Sequence, residues 1–333
     1  MLILLSTGCA SLDYLLNHQN VPFDPGTDEY LSASTPVKAA PTDTLTITNP
    51  YPDLKVPTYI TKIGTDYFIV DCYHNQIIYH DNLTDPITDW SVMTNDINRG
   101  HTIASDGIVY LIDDTENDRI LIMEKQITAD TPPHFIATAE FNNIGRRPHY
   151  IVYDQSTTTF YAWSSMTGEM YLFRRDPDNS SVYLTEIRTI PSLMDIYVRS
   201  FTIIGNDIYF VSGNSSIIRA DLSTFHIIDE YPVSSELNGM VQLTLINDYF
   251  YLTISTDATG NQDYATLIRT NNLNTLIDGE FEDIYDHFIG GGTPYFITGF
   301  DGYWYLTEHR LPNHSIWRFQ VTDNEINDVT PLY

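Results

Sequence analysis

Two cysteines in 333 residues, Cys9 and Cys72, are too few for a disulfide framework. Basic residues are scarce as well: 16 Lys and Arg stand against 44 Asp and Glu, a formal charge of −28. A protein that grips nucleic acid by neutralising phosphates needs the opposite balance, and anionic membrane surfaces repel this one. No segment approaches the ~20 apolar residues of a membrane-spanning helix. No stretch carries the apolar period of an amphipathic helix either. The common catalytic signatures are missing: there is no His-Glu-x-x-His, no Gly-x-Ser-x-Gly, no P-loop and no Cys-pair zinc motif.

What the chain does have is aromatic and apolar material in short runs. It is 42% hydrophobic and 13% aromatic with 24 Tyr, enough for a large buried core. The stretch Arg146 to Asp176 sets the pattern: three short runs separated by Ser/Thr/Gly/Asp turns, which reads as antiparallel strands. A second-strand column recurs at Tyr67–Val70, Val109–Ile112, Phe160–Trp163, Ile208–Val211, Tyr249–Leu252 and Tyr303–Leu306, with starts 42, 51, 48, 41 and 54 residues apart. A third strand follows each, at Gln76, Arg119, Glu169, Ser216, Ala265 and Ser315. Six copies of one four-stranded unit predict an all-β, six-bladed β-propeller of four-stranded antiparallel blades. Strands apolar on both faces fit blades packed against blades, where neither face meets water.

The Trp-Asp dipeptide of WD repeats is missing, and Gly290-Gly291-Gly292 is one loop, not a repeated kelch signature. By strand grammar, residues 43–333 resemble the six-bladed propellers of the NHL, YWTD and gluconolactonase-like group. A ring of blades must hide its first and last edges. The run Asp43 to Asn49 is expected to do this by completing the sixth blade, with Glu325 to Thr330 as the competing candidate.

The first eleven residues, Met1 to Ser11, resemble the end of a bacterial lipoprotein signal, with apolar residues, then small ones, then Gly8-Cys9. The resemblance implies residues 1–9 as a partial signal and Cys9 as the lipidated residue. It also implies an extracytoplasmic, membrane-anchored location, with residues 10–42, rich in Pro, Ser and Thr, as a tether to the body. Cys72, alone within a strand, reads as a packed core residue and not a nucleophile. The sequons at Asn82, Asn179, Asn214 and Asn313 decide nothing in a chain so rich in Asn, Ser and Thr.

The resemblance also implies where a ligand sits: on the face where inner strands begin and where the loops between second and third strands lie. Arg99 and His101, Arg146, Arg147 and His149, and Arg199 occupy such entries. Loops on that face add His74, Asp113, Asp114, Ser164, Ser165, Asn214, Glu308, His309 and His314. Guanidinium binds carboxylate or phosphate bidentately, so an Arg/His rim on an acidic protein suits a small anion. The ligand-binding candidates are Arg99, His101, Arg146, His149, Arg199 and His74. Pairing of these Arg residues with neighbouring acids, as packing devices, is the plain structural alternative. No cofactor is expected. The acidic turn Asp113 to Asp118 could at most hold calcium weakly, and Asp257 to Asp263 departs from a calcium loop at Gln262 and Ile268.

Two functions fit. The first is a monomeric, lipid-anchored cell-surface propeller that binds a small acidic ligand, or a surface protein or glycan, without catalysis. The second, implied by the resemblance, is a lyase or lactonase on acidic carbohydrate. His101 or His149 would then serve as base, and Arg146 or Arg199 would neutralise a carboxylate.

Overall fold

A computed structural model describes residues 23, 25–29, 31, 36–39, 47–255, 265–288, 292–309 and 314–333. Six antiparallel sheets follow one another along the chain. Their inner strands are Pro57–Ile63, Ile103–Ser105, Pro148–Asp154, Val198–Ile204, Met240–Ile246 and Thr293–Phe300. Each is followed by three further strands in simple up-and-down order, so the molecule is the six-bladed propeller that the repeat predicts. All six columns of the sequence repeat fall on second strands, Asp66–Asp71, Val109–Asp114, Thr159–Ser164, Asp207–Ser212, Tyr249–Ile254 and Tyr303–His309.

Burial falls from the inside outward. Every residue of Val109–Asp114 and Thr159–Ser164 is buried, whereas the outer strand Ile227–Pro232 of blade four alternates between half-buried and exposed. The core lies between blades. Trp163 of blade three meets Phe210 of blade four with ring centroids 4.7 Å apart, both fully buried. Each such large side chain contributes roughly 1.5–3 kcal/mol through burial.

Hydrogen bonds cross every blade junction. Thr58 donates to the His101 carbonyl (2.9 Å), Ile151 N to Thr102 Oγ1 (2.9 Å), and Ser200 to the Val241 carbonyl (2.6 Å). Thr253 donates to the Tyr295 carbonyl (2.5 Å), and Thr307 to the Thr58 carbonyl (2.8 Å), which returns the chain of bonds to blade one. The junction of blades three and four uses His149, described below. These bonds satisfy inner-strand carbonyls, and in Ile151 an N–H, that water cannot reach.

The expected closing strand is corrected. The sixth blade is completed by Glu325–Pro331, which pairs with Ile316–Thr322. Asp323 and Asn324 both have positive φ, 51° and 64°, the geometry of a tight two-residue hairpin. A local hairpin closes at less entropic cost than a strand recruited from some 280 residues away. Ile47–Thr48 instead adds a fifth strand outside blade one, opposite Ser91 and Val92. The seam between blades six and one is sealed by side chains: Lys62 binds Asp301 at 2.7 Å, and the Tyr333 ring meets Trp90 edge-on, its hydroxyl bonding the Leu83 and Asp85 carbonyls.

Described parts of the 10–42 stretch lie against the blades. Phe23 is buried beside Tyr183, with ring centroids 5.5 Å apart, and Leu31 N donates to the Leu184 carbonyl at 2.9 Å, both on blade three. Val37–Lys38 pairs with the outer strand of blade two. The arm therefore runs over blades three, two and one in that order, against the order of the blades. Cys9 and the Asp257–Asp263 loop lie outside the described residues.

Candidate functional site

The inner strands carry their rings to the axis by one repeated device. Arg99, Arg147 and Asp195, in the loops entering blades two, three and four, all have left-handed backbone, with φ of 55°, 62° and 59°. Two residues after each comes a ring: His101, His149, Tyr197. A non-glycine residue in this region is strained by about 1–3 kcal/mol and persists only where its surroundings fix it. Here the end of the second strand does so. Asp113 accepts from His101 N (2.8 Å), Thr102 N (2.6 Å) and the Thr102 hydroxyl, with Thr115 Oγ1 3.1 Å away. Ser164 accepts from Arg146 N (2.8 Å), and Asp71 accepts from Lys55 N and Val56 N. In blade two the carboxylate takes the place of the sheet ladder, which is why the inner strand begins only at Ile103. Gly100 is needed there, since a Cβ would lie 2.7 Å from the Asp113 carbonyl oxygen.

The rings meet at the axis. His101 and His149 stack with centroids 3.8 Å apart. His149 Nδ1 bonds the Arg199 carbonyl at 3.0 Å, so Nδ1 carries the proton and Nε2 accepts from the Tyr197 and Tyr295 hydroxyls, both at 3.2 Å. His101 Nδ1 bonds Thr115 Oγ1 (2.9 Å), which in turn donates to the Pro148 carbonyl (2.7 Å), and Cys72 Sγ lies 3.9 Å from His101 Nε2. His309 stacks on Tyr295 with centroids 4.7 Å apart. The Arg199 guanidinium lies over the Tyr197 ring and donates to the Gly239 and Met240 carbonyls of blade five. All six blades thus contribute to one cluster.

Burial sets its electrostatics. It drives both imidazoles toward the neutral form, His101 well below the usual range, with His149 and Arg147 adding to the effect. For His149, burial and then the Arg199 and Arg147 guanidiniums lower the value to about 3. Burial pushes Asp113 up to about 7 against the pull of its hydrogen-bond donors. It also pushes the Cys72 thiol up, so Cys72 is a packed thiol and not a thiolate nucleophile. The mouth is therefore a patch of neutral imidazole and phenol flanked by two fixed cations.

The predicted site residues divide. His101, His149 and Arg199 converge at the axis. Arg99 is exposed above the Tyr73 ring, 3.9 Å from Glu116. Arg146 turns to Asp195 at 3.1 Å, with the two side chains 53% and 84% exposed. His74 pairs with Asp71 at 2.6 Å and stacks on Tyr51. Of the neighbouring pair Arg146 and Arg147, it is Arg147 that joins Arg199 in acting on the imidazoles, and it also binds Glu116 at 2.6 Å. Tyr197 and Tyr295, absent from the predicted set, complete the cluster; the Arg-x-His spacing, continued as Asp195-x-Tyr197, was the available signal.

The carboxylates of the Asp113–Asp118 turn face protein donors: Asp114 binds Arg119 at 2.6 Å, and Glu116 binds Arg147. Among the described residues no cluster of three or more His, Cys, Asp or Glu side chains is placed to hold a metal ion. Glu308 is buried and accepts from the Tyr285 hydroxyl and Trp317 Nε1, a packing role.

No family model matches this sequence, and no curated protein does. Among solved structures, the chain is similar to a candidate 6-phosphogluconolactonase from Bacteroides uniformis, with TM-score 0.56 and 15% identity over 83% of this chain and 86% of that one. A second candidate 6-phosphogluconolactonase, from Bacteroides fragilis, gives TM-score 0.55 and 12% identity over 83% and 84%. A streptogramin B lyase gives TM-score 0.53 and 15% identity over 85% of each chain. At such identities the likeness shows the fold: this chain shares the propeller architecture of these proteins.

Proposed function

We propose that the channel mouth binds a small carboxylate or phosphate and that the protein acts by binding, not by catalysis. The observation that carries this reading is the flanking of the stacked His101–His149 pair by the Arg147 and Arg199 guanidiniums in a chain of formal charge −28. Burial, reinforced by those cations, keeps the imidazoles neutral, so an anion seated among them makes protonation easier. Anion binding is then coupled to proton uptake by His101 or His149, and affinity rises as pH falls from neutral toward acid.

Lactone hydrolysis or uronate cleavage fits less well. A general base works best with a pKa near the working pH, and His149 at about 3 is far from it, with its Nε2 already accepting from two phenols. Surface anchoring belongs to the same proposal: Cys9 would carry the lipid, and Cys9→Ala should release the full-length protein from membranes.

The test is calorimetric titration of gluconate, glucuronate and inorganic phosphate into the protein, in buffers of different ionisation enthalpy. Binding with proton uptake, weakened by about 1.5–3 kcal/mol in Arg147→Ala, supports the reading. No heat with any of the three anions, or unchanged affinity in the variant, overturns it.

A further inference from the structure

The opposite end of the channel holds a second cavity that the mouth does not use. It measures about 320 Å³ and opens to solvent at the far ends of the inner strands. It is separated from the imidazole cluster by a layer within the channel. There Gln242 Nε2 reaches Tyr150 Oη at 3.2 Å and the Ile297 carbonyl at 3.2 Å, its Oε1 accepts from Ile297 N at 2.6 Å, and Phe296 packs on Tyr150 with centroids 5.0 Å apart. Whatever occupies the lower end therefore does not touch His101 or His149.

The lining has a definite chemistry. Tyr59, Tyr150 and Phe201 supply aromatic wall, and Thr202, Thr244 and Thr298 supply hydroxyls from blades four, five and six. Two of those hydroxyls already donate their protons: Thr202 to the Leu243 carbonyl and Thr298 to the Ile60 carbonyl at 2.6 Å. What they present to the cavity is therefore lone pairs. Asp154 of blade three adds a carboxylate, but its Oδ2 already takes the Ser156 and Thr157 hydroxyls and Thr157 N. Among the described residues, no Lys, Arg or His lines the cavity. A lining of hydroxyls, with threonine lone pairs and one carboxylate but no cation, repels anions on an acidic protein and favours a ligand rich in hydroxyls. The aromatic wall favours one that also carries an apolar face. Asp154, saturated on one oxygen, is no dedicated partner for an ammonium group.

We propose that this lower cavity binds a neutral pyranose sugar, hydroxyl donors toward the threonine lone pairs and C–H face toward the aromatic wall. The cavity volume admits one such ring and not an oligosaccharide enclosed along its length. The proposal stands apart from the anion reading of the mouth, since the two share no side chain.

The experiment is saturation-transfer NMR on the whole chain with D-glucose, D-galactose and D-mannose, with gluconate and glucosamine as charged counterparts. At least one neutral hexose should receive saturation. Val152→Trp, which fills the cavity from a half-buried position, should abolish that signal while the circular dichroism spectrum stays unchanged, and Arg147→Ala should leave it intact. The proposal is overturned if no neutral hexose responds at millimolar concentration, if the response survives Val152→Trp, or if glucosamine alone responds. Should Arg147→Ala remove hexose and gluconate signals together, the sugar sits at the mouth and the lower-cavity site is wrong.

Discussion

The two ends of the channel are built from the same inner strands and differ in kind. At the end where those strands begin, Arg, His and Tyr meet through bonds between side chains, and strained left-handed residues aim them. At the end where they finish, Thr and aromatic side chains line an open cavity, and the Thr202 and Thr298 hydroxyls are bound to the backbone of the next blade. The upper residues sit in the entry loops or at the first positions of the inner strands, held by the ends of second strands. The lower ones lie within the ladder, where small hydroxyls serve the junctions first. A propeller can thus carry two chemistries on one axis without either interfering with the other.

Breaking the upper anchor should have the largest effect. Asp113→Leu strands the His101 and Thr102 N–H groups in a buried site and should cost on the order of 3 kcal/mol in urea unfolding, collapsing the mouth while the lower cavity persists. Binding comes next: Arg147→Ala should lose ~1.5–3 kcal/mol of anion affinity, and the neighbouring Arg146→Ala, whose exposed pair with Asp195 is worth under ~0.5 kcal/mol, almost none.

Stability against pH tests the neutral imidazoles. His101 and His149 have folded values below their unfolded ones, so the unfolded chain binds more protons and stability falls as pH drops below about 6.5. Asp113, raised to about 7, acts in the opposite sense, gaining stability as pH falls from there toward 4. Two imidazoles against one carboxylate leave a net loss of roughly 2 kcal/mol near pH 5. In His149→Gln that loss should shrink to near zero; a melt series showing the same acid loss in the variant would place its origin elsewhere. Smallest of the stability effects is Tyr150→Phe, which removes one acceptor from Gln242 and should cost about 1 kcal/mol by thermal melting.

The blades were legible because the second-strand column is buried on both faces and must be apolar throughout, so it repeats cleanly. The mouth was half legible. His101, His149 and Arg199 stand at recognisable strand entries, but whether Arg146 or Arg147 faces inward turns on a single left-handed residue that spacing does not reveal. Tyr295 was hidden among 24 tyrosines. The closing strand was misassigned because Asp43–Asn49 precedes the first inner strand as outer strands precede later ones, which favours it over Glu325–Thr330 until the tight turn at Asp323-Asn324 is seen. The lower cavity left no mark in the sequence, since its threonines look like ordinary strand residues.

The backward course of the amino-terminal arm bears on how the molecule responds to force. Tension applied upstream of Phe23 reaches blade three first, then the short pairing of Val37–Lys38 on blade two, and last Ile47–Thr48 on blade one. Each of those contacts can peel in turn before any load arrives at the first blade proper. The seam between blades six and one, held by Tyr333, Thr307 and the Lys62–Asp301 pair, takes the load only after the arm has peeled, because Thr58 and Lys62 lie on the strand that follows it. The arm would work as a shock absorber for the ring.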